Sequence, residues 1–389
     1  MISKKVRILG CLAIAALIAA CAGGNSKCET QCGECKTQCN KSEQCDKDGK
    51  CSKDGKCSKD GKCSKDGKCS KDGKCDKDGK CDKDGKSCGK EEMCNKGEKA
   101  CGKCDMEFSK KLPVGVQLYS VRTDLEKDFY GTLKKVREMG YAGVEFYGEY
   151  YGNSIVQVKK WCTELGLIPF SNHVPFQQMI DNVDKVIEEN TILGVQYIVF
   201  PYMDEASRPG VDPKQFKATV ARLGEVGKKV KDAGFQLLYH NHDFEFVKLA
   251  DGTVGYDYIF SSNDRSNLQN ETDVCWVQYA GFDPAEVLKK YAGNIPVVHC
   301  KDYYLEGKLK SAPYALIGIS TDNSMKDDGG WFEYRPLGMG QVNIPAVIKA
   351  AMEGGSQWLC VEQDEPCKGL TRLEGIAKSV EYLRSLGLM

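Results

Sequence analysis

From Leu112 to the C-terminus the chain repeats one unit: a short apolar run, an amphipathic stretch, then a glycine. This alternation constrains the fold more than any other feature, because neighbouring parallel strands need a long crossover between them, usually a helix. The apolar runs are "VGVQLY" (114–119), "GVEFY" (143–147), "IPFSNH" (168–173), "YIVFP" (197–201), "QLLYHNH" (236–242), "LQNETD" (268–273), "VVHCK" (297–301) and "WLCVEQ" (358–363). Between them the spacing predicts helices through "VQVKKWCTELG", from Gln177 to Leu193, and through "FKATVARLGEVGKKVKDAG", with a closing helix through "LEGIAKSVEYLRSLG". Glycine after the last helical residue is the usual stop. Eight such units in about 280 residues predict an α/β fold, a (β/α)8 barrel. An open doubly wound sheet fits less well, since no glycine-rich phosphate turn follows the first run.

The chain before this region has another character. Lys4, Lys5 and Arg7 precede an apolar run, Ile8–Ala20, that is short for a membrane span and ends in small residues, as an export signal does. The junction "LIAAC" resembles a bacterial lipobox, so residues 1–21 are expected to be a lipoprotein signal with Cys21 the lipidated residue. Residues 22–105 contain seven units of the form Cys-(Ser/Asp)-Lys-Asp-Gly-Lys, starting at Cys45, and hold few apolar side chains besides cysteine. Such a segment buries too little to offset its chain entropy, so a disordered, low-complexity tether is expected there. Seventeen of the 22 cysteines precede residue 105, and their disulfide or metal state stays open. Residues 106–389 form the expected barrel. The leader's three cations and the tether's 21 Lys against 16 acidic residues leave 31 positive and 39 negative charges for residues 105–389, which argues against a nucleic-acid partner.

Position then gives the rare residues their meaning. All four histidines lie near the C-terminal ends of apolar runs: His173 on the third, His240 and His242 on the fifth, His299 on the seventh. Glu145, Glu271, Asp273 and Glu362 occupy comparable places on the second, sixth and eighth. A lone strand histidine is ordinarily a satisfied structural group, but in a (β/α)8 barrel these ends converge on one site. Side chains two residues apart share a strand face, which pairs His240 with His242, Glu271 with Asp273, and His299 with Lys301. One ligand from each of the last four strands gives His240, Asp273, His299 and Glu362. Two imidazoles and two carboxylates suit a divalent ion such as Mn, Mg, Co or Zn.

The segments "VGVQLYSVR", "GYAGVEFYG", "YHNHDFEF", "ETDVCWVQYAGFDP", "VVHCKD", "PLGMGQVN" and "VEQDEP" together resemble the xylose isomerase-like TIM barrel superfamily, in its sugar phosphate isomerase/epimerase branch, over about residues 112–389. The resemblance implies a divalent metal on His240, Asp273, His299 and Glu362. In the epimerases the strand-five ligand is normally a glutamate that also moves protons; here it is His240, and the "YHNH" form is similar to inosose dehydratase-like and 3-keto-glycoside-cleaving lyases. The expected function is a metal-dependent sugar isomerase or epimerase working through an enediolate on a free sugar or sugar derivative. A metal-dependent lyase or dehydratase on keto-sugars or 3-keto-glycosides is the alternative, and a non-catalytic sugar-binding lipoprotein a third. A fourth, the related apurinic-site endonuclease barrel, needs a richer cluster of metal ligands and a basic face.

Glu362 is expected to act as ligand and base, and Lys301, its pKa lowered beside a cation, as acid or base. His173 and His242 are expected to bind sugar hydroxyls, Glu145 and Arg122 to make substrate or supporting contacts, and Trp276 and Trp331 to offer flat faces to a sugar ring. The long insert at residues 303–341 is expected to cover the metal. The partners expected are a small-molecule sugar, the membrane through a lipid anchor only, and a possible homo-oligomer. Export to the bacterial cell envelope favours an unphosphorylated substrate.

Overall fold

The structure is a computed structural model that describes residues 111–307 and 330–389. The leader with Cys21, the cysteine-rich repeats and the centre of the 303–341 insert lie outside the described residues. The elements in chain order are β1 (Val114–Gln117), α1 (Arg122–Lys127), α2 (Phe129–Glu138), β2 (Gly143–Phe146), α3 (Ile155–Leu165), β3 (Ile168–His173), α4 (Phe176–Asp181), α5 (Val183–Leu193), β4 (Tyr197–Phe200), α6 (Pro213–Asp232) and β5 (Gln236–His240). They continue as α7 (Gly255–Ser261), β6 (Leu268–Asp273), α8 (Val274–Tyr279), α9 (Pro284–Lys290), β7 (Val297–Cys300), β8 (Asp302–Gly307), β9 (Gly330–Arg335), α10 (Ile344–Glu353), β10 (Trp358–Val361) and α11 (Arg372–Ser385). Eight of the strands close into a parallel barrel in the order β1-β10-β7-β6-β5-β4-β3-β2, while β8 and β9 pair antiparallel as a separate ribbon. This is the (β/α)8 barrel that the eight-fold alternation predicts.

Local chemistry sets the punctuation. Ser154 caps α3 by accepting from the Gln157 N–H, and Gly166 closes it in the left-handed region at φ 67°. Asp212 caps α6 ahead of Pro213, and Thr371 with Glu374 forms a capping box on α11. Inside the barrel, Phe170 stacks on Trp358 with ring centroids 4.3 Å apart, packed with Tyr197, Val199, Leu238 and Val297. A side chain at Gly143 would place its Cβ 2.5 Å from the Ile168 carbonyl oxygen and 2.9 Å from the Trp358 ring, so that plug requires glycine there. The apolar plug fills the barrel, and the polar residues at the strands' C-terminal ends sit above it.

Several boundaries differ from expectation. The helix expected over Gln177–Leu193 is two helices, broken at Asn182, whose φ −134° and ψ 42° leave the helical region. β5 stops at His240, so His242 stands on the loop beyond the strand. Likewise β7 stops at Cys300 and β10 at Val361, which puts Lys301 and Glu362 just past the strand ends.

Candidate metal centre and substrate cavity

Strand register stacks the functional side chains in two layers. His240 pairs in register with Glu271, and Asp273 with His299, so Glu271 lies one step deeper in the barrel than Asp273 on the same face of β6. Two overlapping groups result, each with four ligand atoms within 4.8 Å of one another: His240, Asp273, His299 and Glu362 above, and His173, His240, Glu271 and His299 below. Every one of these residues is buried. The sequence-derived ligand set is therefore brought together as the upper group, and the lower one, with Glu271, was not foreseen.

In the lower layer, Glu271 Oε1 lies 2.7 Å from His173 Nε2, 3.0 Å from His240 Nδ1 and 3.0 Å from His299 Nε2. Glu145 Oε1 lies 2.6 Å from His299 Nε2, 3.0 Å from His173 Nε2 and 2.8 Å from Gln117 Nε2. Burial alone would raise the Glu145 carboxyl, but His173 and His299 hold it well below the usual carboxylate range. Burial dominates at His240 and keeps its imidazole neutral, well below the ordinary histidine value.

In the upper layer, His299 Nδ1 stands 3.2 Å from Glu362 Oε2 and His240 Nε2 3.7 Å from Asp273 Oδ2. Asp273 Oδ2 is buried and makes no hydrogen bond within the described residues. Burial pushes its carboxyl up to about 7 despite the pull of Lys301. Two imidazoles and two carboxylates around an unsatisfied, desolvated oxygen form a donor set that fits a divalent ion.

Lys301 stands among more carboxylates than its sequence suggests. Its side chain is 2 % exposed, and its Nζ lies 2.5 Å from Asp364 Oδ2, 3.0 Å from Glu362 Oε2 and 3.5 Å from Asp273 Oδ2. Burial would lower its pKa, but Asp364, Glu362 and Asp273 reverse that and hold it well above the ordinary lysine value. These three carboxylates thus hold Lys301 as an ammonium. The Trp276 and Tyr334 rings, each 5.2 Å from Nζ, enclose it further. Asp302, its neighbour in sequence, instead accepts the backbone N–H groups of Tyr303, Gly338, Gly340 and Val342.

Above the cluster opens a cavity of about 190 Å³. Its lining includes His173, His240, His242, Lys301, Glu362 and Asp364, with Gln117, Tyr119, Tyr147 and Tyr202 as walls. Its size suits one small polyol rather than a chain of sugars. Four expected contacts, Glu145, Arg122, Trp276 and Trp331, are absent from its lining. Arg122 donates to the carbonyl oxygens of Tyr119 and Asp364 and pairs with Glu365, so it holds the loop after β10 rather than a ligand. Trp276 is fully buried behind His242, with ring centroids 5.3 Å apart, and gives no face to a sugar. Trp331 is 46 % exposed on β9 beside Tyr304 and does not border the cavity.

Asp364 is the residue that sequence reasoning missed. It lies two positions after Glu362, the same spacing that pairs Glu271 with Asp273, and burial raises its carboxyl above the ordinary aspartate value although Lys301 pulls it down.

A closed parallel barrel carrying buried imidazoles and carboxylates at its strand ends, below a small polar cavity, defines a class of barrel built around a metal-type site. Within that class the chain belongs to the xylose isomerase-like TIM barrel family, whose model matches residues 133–386. Among solved structures it is similar to a sugar phosphate isomerase/epimerase from Parabacteroides distasonis, at 23 % identity and a TM-score of 0.54, covering 71 % of this chain and 95 % of that one. It is also similar in fold to the IOLI protein, solved with a bound zinc atom, at 19 % identity and a TM-score of 0.50, covering 71 % of this chain and 98 % of that one. Among curated relatives it is 27 % identical to an inosose dehydratase of Clostridium beijerinckii over 174 residues, 44 % of this chain and 54 % of the relative. The chain thus spans about half the length of the curated relative it matches there.

Proposed function

We propose that the chain is a divalent-metal-dependent lyase that removes water from an unphosphorylated keto-sugar or keto-cyclitol. One observation carries this choice: the strand-five position holds a neutral His240, which leaves Glu362 as the single carboxylate of the upper group that borders the cavity. A transfer between two ligand carboxylates, one on strand five, is therefore not available here. The resemblance to a relative named inosose dehydratase supports the same reading. Lys301 and the protonated His173, the cations among the described lining residues, are both already engaged by carboxylates, which supports a neutral ligand over a phosphorylated one. The proposal extends to the exported, lipid-anchored form expected from Cys21.

His240, Asp273, His299 and Glu362 would hold the ion, which when bound supplies Lewis acidity toward a carbonyl and stabilises enediolate charge. Glu362 is the base: burial would raise its pKa, but Lys301 overcomes this and keeps it ionised, so it can take the C–H proton beside the carbonyl. Asp364, which borders the cavity, takes up a proton from solvent and gives it to the hydroxyl leaving the next carbon, and Glu362 then releases to solvent the proton it took. One C–H and one C–O bond break, a C=C bond forms, and water departs. Lys301, 3.0 Å from Glu362, stays charged throughout and offsets the negative charge that develops. An isomerase is the second reading, because Lys301 bridges two carboxylates that both border the cavity and a proton could return to carbon by that path.

The test incubates the full chain, loaded with Mn²⁺, with keto-inositols, free ketoses and 3-keto-glycosides in D₂O, followed by NMR. Wild type should release water from a keto substrate. Glu362→Gln should lose both C–H exchange and elimination, by about 100-fold or more, whereas Asp364→Asn should keep exchange and lose elimination. Deuterium at an isomerised carbon without water loss would transfer the assignment to the second reading. Metal binding with neither exchange nor product would leave a sugar-binding protein.

A further inference from the structure

The two overlapping groups compete for the same ion, since both claim His240 and His299. Each of these imidazoles lies between the layers. His240 directs Nδ1 to Glu271 Oε1 at 3.0 Å and Nε2 toward Asp273 Oδ2 at 3.7 Å. His299 directs Nε2 to Glu145 Oε1 at 2.6 Å and Nδ1 toward Glu362 Oε2 at 3.2 Å. A neutral imidazole has one N–H and one lone pair, and an ionised carboxylate can only accept. The deep carboxylates are fully buried, so water cannot supply their donors. Once an ion takes the outward lone pairs, the imidazole protons belong on the inward nitrogens.

The deep carboxylates are themselves fixed. Gln117 Nε2 donates to Glu145 Oε1 at 2.8 Å, and His173 Nε2 lies between Glu145 Oε1 at 3.0 Å and Glu271 Oε1 at 2.7 Å. His173 thus serves the deep layer, although its ring also borders the cavity. A carboxylate that holds the far N–H of a ligand histidine sets its tautomer and raises its basicity.

We propose that Glu271 and Glu145 are positioning residues that take the inward protons of His240 and His299, so that the ion is bound by His240 Nε2 and His299 Nδ1 in the upper group and the lower group holds none. The inference rests on the metal reading of the site. It separates the lower group, which has the composition of a metal site, from the one that acts as such.

The test uses Co²⁺ with the full chain. Wild type should bind one ion at the site, and its paramagnetic proton spectrum should show two solvent-exchangeable, hyperfine-shifted imidazole N–H signals, one each from His240 and His299. Glu271→Gln and Glu145→Gln should bind Co²⁺ roughly 10–100-fold more weakly and change its visible absorption bands, while circular dichroism and metal-free melting show an intact barrel. Three shifted imidazole signals, or two ions in the barrel, would place metal in the lower group and overturn the proposal. Unchanged affinity and bands in both variants would overturn it as well. If a variant does not fold, the signal count in the unsubstituted chain decides. Failure of wild type to bind Co²⁺ at all would instead sink the metal reading on which the proposal rests.

Discussion

His173 illustrates how a single residue's role follows from its surroundings rather than its type. Its place at the end of a strand marks it as part of the site, and the sequence suggests a sugar contact. Its Nε2 in fact lies between two buried carboxylates. Burial would lower its pKa, but Glu145 and Glu271 push it up to about 10. The folded, metal-free chain therefore keeps a proton that the unfolded chain gives up near the ordinary value of about 6.5. The resulting stabilisation is complete below about 6.5, falls as pH rises, and is gone above about 10. Melting of the chelator-treated chain should show this decline between pH 7 and 10, and His173→Gln should flatten it; parallel pH curves for the two would refute the assignment. Lys301 teaches the same lesson with the opposite error: its position was legible, but its charge state depends on Asp364, which only the folded loop after β10 brings near.

Among the elements, register made much of the site readable. Side chains two residues apart on β6, and the ends of β3, β5 and β7, place Glu271, Asp273, His173, His240 and His299 where the apolar runs predict. What periodicity could not give was depth. Glu271 and Asp273 share a face, yet one packs into the carboxylate–histidine layer and the other faces the ion site, because strand pairing sets Glu271 against His240 and Asp273 against His299. The β8–β9 ribbon was legible only as an insert. The segment that follows β9 is tied by Asp302, which accepts the N–H groups of Gly338, Gly340 and Val342 as well as that of Tyr303. Removing that acceptor strands buried donors, so Asp302→Ala should cost about 3 kcal/mol in urea unfolding, with Asp302→Asn recovering part. A loss under about 0.5 kcal/mol, the range of an ordinary surface substitution, would show that the segment does not depend on this carboxylate.

For the whole molecule, the eight-fold alternation sufficed to define the barrel, since parallel strands joined by helices leave few other ways to bury both faces of each strand. The centre of function follows from that closure: only a closed barrel brings residues from β2, β3, β5, β6, β7 and the loop after β10 to one end. The choice between lyase and isomerase was not legible, because it turns on one proton-transfer partner inside a shared site. The most direct test of the account is crystallographic: the full chain crystallised with Co²⁺, with anomalous diffraction measured on both sides of the cobalt edge. The account predicts one anomalous peak bounded by His240 Nε2, Asp273, His299 Nδ1 and Glu362, open toward the cavity. A peak among His173, Glu271 and Glu145, or none in the barrel, would contradict it.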